Sequence, residues 1–195
     1  MEQLPPSACT EEVCRLLSTV KIKTVSGPDG ISSHMLHNTA SAIAPSITDM
    51  FNSSLSKGVV PSEWKFSNVT PVFKGKGDSS CVANYRPISL LSLPSKILER
   101  IVHHRLLDYL LSNNILSNRQ FGFRPGSSTQ EALLCATNDW SFCLDRGTSV
   151  AAVSLDLSKA FDRVPHCQLL SALVNIGVSG PLLAWFRSYL SGRTQ

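Results

Sequence analysis

The amino-acid sequence predicts an α+β fold, and three observations carry that prediction. Six stretches repeat apolar residues at helical spacing, beginning near residues 10, 43, 94, 128, 169 and 181. A stretch near residue 70 alternates about a glycine-rich turn, as a hairpin does. Val150 to Leu155 form a short run of small and β-branched apolar residues that reads as a strand buried on both faces. The composition agrees, since 43% hydrophobic and 16% charged residues over 195 positions suit one compact unit, or parts of two, and exclude a disordered chain.

The first helix spans residues 10 to 23, with Thr10 as N-cap, Glu11 and Glu12 in the first turn, and Val13, Leu16, Leu17 and Val20 on one side. Ser26-Gly27-Pro28-Asp29-Gly30 is a turn, and Ile43, Ile47, Phe51 and Leu55 mark a second helix stopped by Gly58. Pro61 to Trp64 form a link. Val69 to Phe73 then alternate as a strand, turn through Gly75-Lys76-Gly77-Asp78 and return around Tyr85 to Ile88, giving a hairpin that carries Lys74, Lys76 and Arg86. Its glycines lack the spacing and the final hydroxyl residue of a phosphate loop.

Pro94 opens a long helix ending at Asn113-Asn114, with Ile97, Leu98, Ile101, Leu106, Tyr109 and Leu110 apolar and Lys96, Arg100 and Arg105 left for solvent or phosphate. Gln120 to Gly126 make an irregular loop. Ser128-Thr129-Gln130-Glu131 is a capping box launching a helix that stops near Gly147. After the apolar strand come a helix through Leu169, Leu170, Leu173 and Val174 and another from Pro181 through Leu182, Trp185, Phe186 and Tyr189, closed by Gly192.

Charge is distributed unevenly. Residues 60 to 130 hold nine Lys/Arg against four Asp/Glu, a net +5, and the remainder holds nine against ten, or −1. Such a regional excess suits a phosphate backbone as readily as a solvated basic face. The six cysteines have no C-x-x-C pair and read as buried free thiols in a reducing compartment, and the histidines lack partners at zinc-ligand spacing. No apolar stretch is long enough to span a bilayer and the N-terminus shows no signal pattern, so the expected setting is cytoplasmic or nuclear, without membrane contact.

Asp156 ends the apolar run. A buried carboxylate needs a partner, and two present themselves: an ion pair with Lys159 or Arg163, or a hard divalent cation. The pattern Asp156-x-x-x-Ala160-Phe161-Asp162, in the form Leu-Asp-Leu-Ser-Lys-Ala-Phe-Asp-Arg-Val, resembles the first catalytic motif of reverse transcriptases of the non-LTR, LINE-type retrotransposons. Three further stretches resemble that family in the same order. They are Gly27-Pro28-Asp29-Gly30 with Phe51-Asn52 to Trp64-Lys65, then Val69 to Lys74 with Asn84-Tyr85-Arg86-Pro87-Ile88-Ser89-Leu90, then Gln120 to Thr129.

The resemblance implies a partial right-hand polymerase: a helical N-terminal extension over 1–60, a fingers region over 61–130 and the start of a palm over 131–195. It implies RNA-directed DNA synthesis on an RNA template with a DNA primer and deoxynucleoside triphosphates, assisted by Mg²⁺. Asp156 would be the catalytic metal ligand, with the main-chain carbonyl of Leu157 beside it. Phe161 would stand at the aromatic gate against a ribose 2′-hydroxyl, although as an apolar aromatic it reads equally as core. Lys74 and Arg86 would grip the triphosphate, although alone they read as surface cations. Lys76 and Arg124 are candidates for nucleic-acid contact, and Asp162 reads as a structural cap or a partner of Arg163. The family's Gly-x-x-Gln-Gly and Tyr/Phe-Ala-Asp-Asp motifs are expected beyond Gln195, which makes these residues the front part of a polymerase and leaves catalysis by them in doubt. Two other readings remain: a non-catalytic nucleic-acid-binding fragment using the basic 60 to 130 surface, and a helical interaction domain in which Asp156 is only structural.

Overall fold

The computed structural model describes residues 7–22 and 26–195. They divide into two compact units, one built from the chain up to Leu107 together with Pro165–Gln195, the other from Asp108–Val164.

The first unit holds the buried core. Its helix α1, Thr10–Ser18, begins one residue earlier than the sequence suggests: Cys9, not Thr10, is the N-cap, its Sγ accepting the Glu12 N–H at 3.4 Å. The helix ends at Ser18 rather than continuing towards residue 23, which lies outside the described residues. Its buried Val13, Leu16 and Leu17 face α3, Ala40–Lys57, whose own stripe is Ala40, Ala44, Thr48, Phe51 and Leu55. Between them in the chain lies α2, Ser33–Asn38, a short helix capped by Ser32 that no helical repeat of apolar residues marks in the sequence. Asn52 ties down the entry to α1, accepting the Ala8 N–H at 2.7 Å and donating to its carbonyl at 3.0 Å.

Gly58 ends α3 in the left-handed conformation, φ 66°. Here the last helix, α7, Gly180–Leu190, comes close: a Cβ on Gly58 would lie 2.6 Å from Ala184 Cβ and 2.9 Å from the Pro181 carbonyl oxygen. Gly58→Ala therefore combines backbone strain with overpacking and is expected to destabilise by about 1–3 kcal/mol. An unchanged urea midpoint would show that this contact relaxes freely. Around it Trp185 Nε1 donates to Ser54 Oγ at 3.1 Å, and the Val60 N–H donates to Ser188 Oγ at 3.0 Å. A 3₁₀ turn, Ser62–Lys65, then packs Trp64 edge-on against Phe51 at 5.8 Å.

Strands β1, Asn68–Phe73, and β2, Tyr85–Leu90, form the expected antiparallel hairpin, in the register Val72↔Arg86. Pro71 faces Pro87, a pairing that an antiparallel ladder tolerates only at a non-hydrogen-bonded site. The Lys74 N–H donates to the Asn84 carbonyl at 2.8 Å, three pairs further on, which fixes the same alternation. Helix α4, Leu93–Ser112, follows and buries Ile97, Leu98, Ile101 and Val102. Arg105, expected to be available to phosphate, is paired instead with Glu12 at 2.7 Å. Helix α6, His166–Asn175, and α7 complete the unit.

In the second unit, Ser128 caps α5, Thr129–Asp145, accepting the Glu131 N–H at 3.1 Å as the capping box predicts. No residue of α5 is buried. The largest correction lies after it. Residues 150 to 157 are an exposed, irregular stretch and not a strand buried on both faces; Val153 is 83% and Leu155 89% exposed. The physical reason is that a strand requires a ladder, and the single sheet among the described residues is β1–β2. The cysteines also depart from expectation, because all six are free but none is buried.

Candidate functional site

The candidate residues fall into two groups, one in each unit. In the first unit, the loop joining β1 to β2 is stitched by the residues of the Asn84-Tyr85-Arg86-Pro87 stretch. Asn84 Nδ2 donates to the Asp78 carbonyl at 2.8 Å, and Tyr85 OH donates to the Ser79 carbonyl at 2.9 Å. Asp78 accepts the Ser80 N–H at 2.9 Å, and this bond holds its carboxyl below the ordinary range. Gly77, at φ 82°, lies so close to Asn84 that a Cβ would meet its side-chain nitrogen at 2.6 Å.

On this frame, strand alternation places Val72, Lys74 and Arg86 on one face. Lys74 and Arg86 stand diagonally across the ladder, roughly 7–8 Å apart at the backbone. Lys74 Nζ donates to the Ala83 carbonyl at 2.6 Å, which curls its ammonium back over the loop. Among the described residues, neither Lys74, Lys76 nor Arg86 forms an ion pair, in contrast to Arg105 and Arg119, which hold Glu12 and Asp139. Three exposed cations without a carboxylate partner form a surface that favours phosphate.

In the second unit, Asp156 and Leu157 are exposed on the irregular stretch. Asp156 is not buried, and its carboxylate forms no ion pair with Lys159 or Arg163 among the described residues, so the salt-bridge alternative is corrected along with the strand. Lys159 takes φ 53° and leads into a 3₁₀ turn, Phe161–Arg163. Phe161 is 79% exposed and meets Phe123 edge-on at 5.9 Å, so the core reading of that ring does not hold. Asp162 bonds through its backbone N–H to the Lys159 carbonyl at 3.0 Å, and its carboxylate neither caps nor pairs with Arg163 among the described residues. Arg124 donates to the Ser117 carbonyl at 2.9 Å and closes its own loop.

The donor set can be compared with what a divalent pair requires. Among the described residues, no three His, Cys, Asp or Glu side chains gather where a metal would be held. One carboxylate and one carbonyl do not fit two ions that each need several oxygen ligands.

Comparison with known proteins decides what these pieces belong to. Residues 74–195 match the family model described as reverse transcriptase (RNA-dependent DNA polymerase). The chain belongs to the reverse transcriptase family. The resemblance to the enzymes of non-LTR retrotransposons holds as well. The chain is 31% identical over 183 residues to a probable RNA-directed DNA polymerase from transposon BS of Drosophila melanogaster, covering 94% of this chain and 20% of that protein. It is 32% identical over 168 residues to the RNA-directed DNA polymerase from mobile element jockey of the same fly, covering 86% and 18%. It is 30% identical over 191 residues to a retrovirus-related Pol polyprotein from a type-1 retrotransposable element R1 of Bradysia coprophila, covering 97% and 18%. This reverse transcriptase segment thus spans about a fifth of the length of these relatives. No helix among the described residues is long and apolar enough to cross a membrane.

Nothing local marks Ser92 as the partner of Asp29, which it meets at 2.6 Å, or Glu12 as that of Arg105. Asn84 did carry a signal, since an Asn beside a glycine-rich turn is a turn-stitching residue by type.

Proposed function

We propose that this segment is the nucleotide-gripping and first-carboxylate part of an RNA-directed DNA polymerase, acting on a primed RNA template within a longer retrotransposon protein. The observation that carries the reading is the hairpin with exposed Lys74, Lys76 and Arg86, lying at the start of the family match. Arg86 offers a planar fork to phosphate oxygens, and Lys74 is a mobile point charge that can leave the Ala83 carbonyl for a phosphate. Asp156 supplies one anionic ligand in the second unit and Phe161 an exposed ring for sugar contact. Lys76 and Arg124 are assigned to nucleic-acid backbone contact, and Mg²⁺ is the implied cofactor of the complete enzyme.

The test is binding of a deoxynucleoside triphosphate and of RNA by the purified chain across a salt series. Replacing Lys74 and Arg86 together by Ala is expected to weaken binding about tenfold or more at low salt and much less at high salt, because phosphate contacts release counterions. Equal affinity of variant and parent at every salt concentration would sink the hairpin's role. It would favour a fragment that binds nucleic acid elsewhere on its basic surface, or not at all.

A further inference from the structure

Among the described residues, the hydrogen bonds that tie the hairpin to the rest of its unit fall at its base. Every residue of β1 is exposed, and in β2 only Tyr85 and Leu90, its two ends, are half-buried, so the direction of the hairpin is set where the strands leave it. At the β1 end, the Ser67 N–H donates to the Thr194 carbonyl at 3.0 Å, and the Thr194 N–H donates to the Lys65 carbonyl at 3.1 Å. At the β2 end sits the turn Gly27-Pro28-Asp29-Gly30, closed by the Gly30 N–H on the Gly27 carbonyl at 3.1 Å.

This second contact is tight and polar. A Cβ on Gly27 would fall 2.6 Å from the Leu91 carbonyl oxygen and 2.8 Å from Ser92 Cα, so only glycine fits there. One carboxylate oxygen of Asp29 accepts the Ile31 N–H at 3.2 Å, and the other accepts Ser92 Oγ at 2.6 Å. Ser92 is 1% exposed, and its carbonyl accepts the Lys96 N–H at 3.2 Å, opening α4. Ser92 is therefore the joint between an uncovered hairpin and a helix anchored in the core. A hydroxyl-to-carboxylate bond of this length is about twice as strong as a neutral one.

We propose that Asp29 is a positioning residue: through Ser92 it fixes the direction in which the hairpin presents Lys74 and Arg86, and so sets their grip on polyphosphate. The last step rests on the phosphate-binding reading of the hairpin; the latch itself does not. Asp29 touches none of the candidate cations and acts only through the joint.

Amide hydrogen exchange on the full chain and binding of inorganic tripolyphosphate at low salt test this together, with Asp29→Ala, Asp29→Asn, Ser92→Ala and the Asp29→Ala/Ser92→Ala double variant. Either Ala variant is expected to speed exchange in β2 about tenfold while α3 is unchanged, and to weaken tripolyphosphate several-fold. Asp29→Asn keeps one acceptor oxygen but loses the charge and the second acceptor, so it should fall between the parent and Asp29→Ala, and the double variant should be no worse than the worse single one. Should Asp29→Ala not fold, Ser92→Ala carries the test alone. Unchanged β2 exchange overturns the latch, and so does equal acceleration of α3 and β2, which would make Asp29 a residue of general stability. A latch that loosens as expected while Lys74→Ala/Arg86→Ala leaves tripolyphosphate binding intact would instead fail the phosphate reading.

Discussion

Given Mg²⁺, deoxynucleotides and a primed RNA template, the purified 195-residue chain is expected to extend no primer, and Asp156→Asn is expected to be indistinguishable from it. In-line phosphoryl transfer needs two cations a few ångströms apart, and an exposed carboxylate on an irregular stretch cannot hold both against the charge of a triphosphate. Neither can Asp162 complete the set, because it sits in the 3₁₀ turn six residues on and no third ligand joins the two among the described residues. When the chain is fused to a segment supplying the family's second carboxylate motif, extension should appear, and Asp156→Asn should then lower it by about three orders of magnitude, ~4 kcal/mol of barrier. Extension by the unfused chain above its Asp156→Asn control would defeat this account.

The largest effect on stability is expected at Trp185. It is 2% exposed, stacks on Tyr189 at 5.3 Å and donates to Ser54, so one side chain joins α7 to the end of α3. It also walls a cavity of about 270 Å³ with Glu99, whose carboxyl burial pushes up. Trp185→Ala enlarges that space and should destabilise by about 3–5 kcal/mol, a large share of a domain's total stability of about 5–15 kcal/mol. Trp185→Phe keeps most of the packing and loses the indole N–H bond, so about 1 kcal/mol is expected. Urea unfolding followed by circular dichroism compares the two; a loss below about 1 kcal/mol for Trp185→Ala would mean that α7 is not seated as described.

The hairpin was legible because its information is local. Alternation from Val69, the glycine-rich turn and the return at Tyr85 lie within about twenty residues, which is enough to mark a hairpin, while its register, Val72↔Arg86, is set by the structure. The same holds for the Ser128 cap and for Gly58, whose left-handed conformation ends α3 where expected. Cys9 displaced Thr10 as a cap because a thiol one residue earlier reaches the Glu12 N–H, a choice decided by geometry that residue preference does not encode.

By itself, the sequence determined the six longer helices, the hairpin, the order of four family-like stretches and the cations and carboxylate they carry. Only the tertiary structure decided that Arg105 is taken by Glu12, that Asp29 accepts the Ser92 hydroxyl across 63 residues, and that Val150 to Leu155 form no strand. The division has one physical source. A helix or a tight turn satisfies its hydrogen bonds within a few residues, whereas a strand, an ion pair or a latch is defined by a partner whose place along the chain no local pattern specifies.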